Sequence, residues 1–210
     1  MHTTDLNPII RSLPPPPLLV VISGPSGVGK DSVLTRMRTA GVPFHFVVTA
    51  TSRPMRVGER DGYDYHFVSR ETFEGLIRDD ELIEWAEVYG QYKGVPKFEV
   101  RRALASNHDV VLRIDVQGAA TIRRLAPEAV LIFVAPGSPD ELRKRLEARR
   151  TDTPDEIERR LAVVRKELEA IREFDYVVIN RDDRLDDAAD QIRAIVLAEK
   201  HRVRPRHVSL

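Results

Sequence analysis

Four short runs dense in aliphatic residues punctuate this 210-residue chain, and each is followed by a stretch with helical spacing. The runs are LLVVIS (18–23), DVVLRID (109–115), AVLIFVA (129–135) and YVVIN (176–180). Near-continuous apolar content, in place of strict alternation, marks strands covered on both faces. Strands that alternate with helices need crossover connections, so the pattern predicts an α/β domain with a parallel sheet between helical layers. Helices are expected near 31–39, 117–125, 139–149, 154–172 and 184–200. The interval 49–99 breaks this rhythm. It is rich in Gly, Tyr, Arg and Glu, carries short alternating pieces such as YDYHFV, and reads as an inserted subdomain of mixed strand and helix.

Between the first run and its helix lies GPSGVGKDSV (24–33). Its glycines let the backbone turn N–H groups inward, the helix N-terminus adds partial positive charge, and Lys30 is placed to reach outer phosphates. Gly24, Pro25, Ser26, Gly27, Val28, Gly29, Lys30 and Asp31 are therefore expected to cradle the phosphates of a nucleotide. An ordinary glycine-rich turn would explain the glycines but has no need of a lysine directly after the last one. The phosphate-loop motif G-x-x-x-x-G-K-[ST] ends in a hydroxyl that ligates magnesium. Asp31 stands there instead. It is either a hard oxygen donor to Mg2+ or only an acidic charge at a helix N-terminus. Ser32 cannot take over the position, because the next helical residue points about 100° away.

Composition narrows the partners. Lysine plus arginine number 33, as do aspartate plus glutamate, so bulk charge gives no ground for a nucleic-acid or anionic-membrane partner. The chain has no cysteine, which excludes disulfides and Cys-ligated zinc. No apolar run approaches the roughly 20 residues of a bilayer span, and the N-terminus lacks the pattern of an export signal. The expectation is a soluble, cytoplasmic protein, a monomer or small homo-oligomer, with small-molecule partners. Residues 1–17, ending in Pro14–Pro17, read as a stiff polyproline spacer, with an SH3-type recruiting segment as the alternative. The basic, aperiodic 201–210 reads as a frayed tail.

Three further stretches, TATSRPMRVGERDGYDYHFVS, LIEWAEVYGQYKG and RIDVQG, follow GPSGVGK in that order. Together they make the chain from about Leu18 to Ile195 resemble the guanylate kinase family of P-loop nucleoside monophosphate kinases. The resemblance implies a P-loop NTPase three-layer α/β/α core with a parallel sheet (18–48 and 100–200). It also implies an inserted GMP-binding subdomain (49–99), a helical lid (138–165), and Mg2+-dependent transfer of the γ-phosphoryl group of ATP to GMP. On the family pattern Arg53, Arg56 and Tyr65 hold the GMP phosphate, with Glu59 in the same segment. Thr49 and Glu84 read guanine, and Asp115 faces GMP and the metal–water network. Arg145, Arg149 and Arg160 match lid arginines that approach the ATP phosphates and share catalysis with Lys30.

The residue types suit these roles. An arginine fork donates bidentate hydrogen bonds to phosphate. Guanine presents two adjacent donors that match a carboxylate, whereas adenine presents an acceptor at N1. The plainer readings are solvated loop arginines and an Asp115 that merely caps a helix. Trp85 is expected in the core. Four positions depart from the family pattern. Asp31 replaces a hydroxyl, and Lys93 a second phosphate-binding tyrosine, which leaves a point charge for the phosphate. Val95 replaces a hydroxyl directed at guanine O6, and Arg113 an aspartate. Positive charge is thereby added near the acceptor and negative charge near the metal, and compensation between them is a hypothesis that the sequence leaves open. Two other readings remain: a related P-loop kinase with another phosphorylated acceptor, and a non-catalytic guanylate-kinase-like binding module. The retained Lys30 and acceptor arginines argue against the second.

Overall fold

The computed structural model describes residues 15–88, 90–148 and 154–208. Five parallel strands form its main sheet: β1 (Leu19–Ser23), β2 (Phe44–Phe46), β7 (Asp109–Arg113), β8 (Val130–Pro136) and β9 (Tyr176–Asn180). Their order is β2-β7-β1-β8-β9, with Val20 of the central β1 paired to Val111 on one side and Val130 on the other. All five residues of β1 are buried. Alternate side chains explain why. Val20 and Ile22 pack with Val33 and Met37 of α1 (Lys30–Thr39) and Ile192 of α7 (Leu185–Lys200). Leu19 and Val21 pack on the opposite face with Val100 of α3 (Lys97–Ala105) and Ile122 of α4 (Val116–Leu125). A strand with helices on both faces needs an apolar residue at every position, which is the pattern its sequence carries.

A second sheet, ordered β4-β3-β6-β5, comprises β3 (Ala50–Thr51), β4 (His66–Phe67), β5 (Leu82–Val88) and β6 (Gln91–Pro96). It has its own small core, in which Phe73 of α2 (Arg70–Arg78) stacks on Tyr92 with ring centroids 5.1 Å apart. Two further helices, α5 (Pro139–Ala148) and α6 (Pro154–Glu169), follow β8, and a 3-10 turn (Ala170–Glu173) leads into β9. Arg149 and most of the N-terminal stretch lie outside the described residues. Among those described, no helix is long and apolar enough to cross a membrane.

The structure corrects two expectations and adds a strand the sequence did not display. Trp85 is not in the core: it is 46% exposed, edge-on to Tyr92. Strand alternation is the cause, because a strand that turns Glu84 inward must turn the next residue outward. The short β2 joins the main sheet although three residues, FHF, carry no readable period. The C-terminal segment is docked through residue 208. Arg206 bonds to Glu199 and to the Ala129 carbonyl, and Val208 packs on the α3–α4 side of the core. Glu199 is 2% exposed and also accepts from the Tyr176 hydroxyl at 2.6 Å. Burial alone would raise its carboxyl, but the bonds from Arg206 and Tyr176 prevail and hold it at about 2.

Candidate active site

The carboxyl ends of the parallel strands converge on one cleft, the usual ligand position in an open α/β sheet. At the end of β1 the chain enters the phosphate loop. Gly24 has φ 136°, and a Cβ there would meet the Val134 carbonyl oxygen at 2.2 Å. Gly29, at φ 89°, would drive a Cβ to 2.5 Å from the Asn180 amide. Only glycine fits either position. Helix α1 starts at Lys30, whose ammonium curls over the loop and donates to the Gly24 carbonyl (2.5 Å) and the Pro25 carbonyl (2.9 Å).

The loop is braced from behind. The Asn180 amide donates to the Val28 carbonyl at 2.8 Å, and Arg145 donates to the same carbonyl at 3.0 Å. Arg145 also donates to the Asn180 carbonyl (2.9 Å) and to Asp182 (2.8 Å). In this structure Arg145 therefore lies against the back of the loop with its guanidinium engaged. Asn180 and Asp182 escaped sequence reasoning, where the only signal was a polar residue closing an otherwise apolar strand. Glu167 of α6 was also missed. It lines the cleft beside the Ser26 N–H and Lys30, and burial raises its carboxyl although both of those groups favour the charged form.

Two connected cavities open from the loop. One, of about 430 Å³, has Gly24, Gly27, Gly29 and Lys30 on one wall and Thr49, Glu84 and Asp115 on the other. The second, of about 760 Å³, is lined by Arg53, Arg56, Glu59, Tyr65, Lys93 and Arg160. The structure thus gathers the described residues expected from sequence along one cleft, except that Pro25, Val28 and Arg145 line neither cavity. Val95 is fully buried opposite Glu84 and contributes packing only.

In the first cavity, burial raises the Glu84 carboxyl to about 7, with the charge of Asp115 as a second cause. Gly118 of α4 makes room for that carboxyl: a Cβ there would lie 3.0 Å from Glu84 Oε2. Asp115 accepts from the Gly118 N–H at 2.7 Å, so it caps α4 and lines the cavity at once. The backbone carbonyl of Thr49 anchors β4 by accepting from the His66 N–H at 2.9 Å.

The second cavity is strongly cationic. Arg53 is 7% exposed, and its fork donates to both oxygens of Glu59, at 2.7 and 2.5 Å. Those bonds, then the Arg56 backbone N–H at 2.8 Å, hold Glu59 at about 2. Glu59 thus fixes the arginine. The Tyr65 ring is flanked by Arg53 at 4.9 Å, Arg113 at 5.7 Å and Lys93 at 5.8 Å. Burial, then the charges of Arg53 and Arg56, push the Lys93 ammonium down. Six lysine and arginine side chains line this cavity against four carboxylates, of which Glu59 is paired with Arg53 and Asp31 with Arg113, and that local excess of positive charge suits an anion.

The added charges at Asp31 and Arg113 meet. Arg113, at the end of β7, forms an ion pair with Asp31 through one terminal nitrogen and donates from the other to the Tyr65 hydroxyl at 3.1 Å. Asp31, Tyr65, Lys93 and Arg113 line both cavities. The Asp31 side chain is 70% exposed and that of Arg113 27%. Among the described residues no group of three or more His, Cys, Asp or Glu could hold a metal. An exposed single carboxylate beside a phosphate loop still fits magnesium, which keeps several waters and takes its remaining ligands from substrate phosphates.

Comparison with known proteins agrees with this geometry. The family model described as guanylate kinase matches residues 17–199. The guanylate kinase 2, chloroplastic/mitochondrial, of Oryza sativa subsp. japonica is 48% identical over 198 residues, 94% of this chain and 70% of that protein. A guanylate kinase of Desulfitobacterium hafniense is 43% identical over 187 residues, 89% of this chain and 92% of the other. The crystal structure of guanylate kinase from Anaplasma phagocytophilum superposes with a TM-score of 0.71 at 30% identity, covering 90% of this chain and 88% of that one.

Proposed function

The chain belongs to the guanylate kinase family, and from that premise we infer that its cleft transfers the γ-phosphoryl group of ATP to GMP, giving ADP and GDP. The observation that carries the residue assignment is the placement of Glu84. Its carboxylate shares one small cavity with the phosphate loop, and the cationic pocket of Arg53, Arg56, Tyr65 and Lys93 adjoins it. A nucleotide with its base at Glu84 and its phosphate at Tyr65 presents that phosphate toward Lys30.

The chemistry asks little covalent work of the protein; phosphoryl transfer needs positioning and charge stabilisation. Backbone N–H groups of residues 26–30 and the Lys30 ammonium would receive the donor phosphates, which requires Lys30 to leave the two carbonyls it now holds. Asp31 would hold Mg2+, which supplies neutralisation of charge on the donor phosphates when bound. Arg53, fixed by Glu59, and Arg56 and Lys93 would orient the acceptor phosphate. Arg145 would keep the loop rigid, and Arg160, on α6, would approach the transferring group as the 138–165 segment closes over the core. Residues 49–99 would close from the other side and exclude water.

A coupled assay with Mg·ATP across GMP, dGMP, AMP, UMP and CMP tests the reading. GMP should be the preferred acceptor by a wide margin, since a carboxylate faced with adenine N1 is left unsatisfied. Equal turnover of AMP would remove the guanine assignment of Glu84.

A further inference from the structure

Arg113 is placed where the donor and acceptor halves of the cleft meet, and it is tied to both. One terminal nitrogen pairs with Asp31 on the phosphate-loop side, and the other donates to Tyr65 on the acceptor side at 3.1 Å. Resting on the reading of the site given above, we propose that Arg113 is an acceptor-phosphate ligand held in reserve by Asp31. Asp31 surrenders it when the metal that accompanies the donor nucleotide takes the carboxylate.

Three observations carry this. First, the Arg53 guanidinium is partly engaged: three of its five N–H donors go to the two Glu59 oxygens and, at 2.8 Å, to the Pro54 carbonyl, which leaves it only part of its fork for a phosphate. The acceptor pocket therefore gains from another fork. Second, Arg113 stacks within 5.7 Å of the same Tyr65 ring that Arg53 and Lys93 approach, so a phosphate beside that ring lies within its reach. Third, Asp31 is the more exposed partner of the pair and lines both cavities, so an incoming cation can compete for it. A carboxylate shared by two cations couples their sites. Whatever occupies Asp31 from the donor side frees Arg113 for the acceptor side, and by linkage the acceptor phosphate favours the metal in turn.

Calorimetry separates this from a merely structural ion pair. GMP and guanosine, which lacks the phosphate, would be titrated into the native chain, Asp31→Ala, Arg113→Ala and Arg113→Lys. Each titration would be run without metal and again with Mg2+ plus a non-hydrolysable ATP analogue. Asp31→Ala should bind GMP severalfold more tightly than the native chain without metal, and should gain nothing further from the analogue. The native chain should gain that same factor only when Mg2+ and the analogue are present. With Mg2+ and the analogue present, Arg113→Ala should weaken GMP up to about tenfold, the usual size of a charge-assisted phosphate contact, with guanosine unchanged and Arg113→Lys recovering part of the loss. Equal effects on GMP and guanosine, or GMP affinity indifferent to Arg113 when Mg2+ and the analogue are present, would overturn the proposal, as would Asp31→Ala binding GMP no better than the native chain without metal. A native chain that binds AMP as tightly as GMP contradicts the guanine reading instead, while the role of Arg113 is still read from the difference between GMP and guanosine.

Discussion

Glu84 shows how one side chain can carry specificity and a pH dependence together. Its carboxyl sits at about 7 because burial and Asp115 disfavour its charge, yet accepting both guanine donors requires the ionised form. GMP affinity should therefore fall as pH drops through about 7 and level off above it. The variant Glu84→Gln should lose that titration and cost roughly 30-fold in kcat/KM for GMP, as expected for the loss of a charged hydrogen-bond acceptor. Profiles of kcat/KM against pH for both proteins check this; matching profiles would place the titrating group elsewhere. The same raised value has a stability cost of the opposite pH sense. The ligand-free fold holds this proton more tightly than the unfolded chain, so between about 4.5 and 7 rising pH weakens it at this residue. Glu84 and the loop glycines were legible because single motifs carry them. The Asp31–Arg113 pair was not: its members are 82 positions apart by residue number, and no local period links them.

At the level of elements, the buried parallel strands were the easiest to read. β1, β7 and β8 are covered on both faces, so each leaves an unbroken apolar run, and β9 is apolar too although it lies at the sheet edge with Val177 exposed. The strands β2, β3 and β4 span two or three residues and leave no period at all. Helix α3 begins at Lys97, so an insertion boundary at residue 100 falls inside a helix. What the sequence could not display is how elements press on one another. Gly118 of α4 against Glu84 of β5 is the functional instance. A Gly118→Ala change adds a helix-favouring residue, about 1 kcal/mol of propensity. It also moves the Glu84 carboxyl by a few tenths of an ångström, which should lower kcat/KM for GMP roughly tenfold through misplacement while leaving the melting temperature nearly unchanged. A large drop in melting temperature would mean that α4 itself had shifted. Arg145 carries a related lesson. The family resemblance puts it near the ATP phosphates, and in this structure its guanidinium also bonds to the Val28 and Asn180 carbonyls and to Asp182, bracing the phosphate loop.

At the scale of the molecule, three apolar clusters build the described residues, one on each face of the five-stranded sheet and one between α2 and the smaller sheet. The main core is closed at its edge by the C-terminal segment, which composition alone had suggested would be loose. Arg206→Ala would leave Glu199 buried with weaker compensation from Arg202, at 3.2 Å, and should destabilise the fold by about 2 kcal/mol in chemical denaturation. Catalysis by the folded fraction should be unaffected, since that network lies away from the residues lining either cavity.

The central claim is that the cleft passes a phosphoryl group directly from one nucleotide to another. The most direct measurement follows the label of γ-phosphate-labelled ATP with Mg2+ and GMP, in the native chain and in Glu84→Gln. The native chain should place the label in the terminal phosphate of GDP, with little in inorganic phosphate, and Glu84→Gln should do so far more slowly. Label released only as inorganic phosphate, or transferred to AMP as readily as to GMP, would contradict the account.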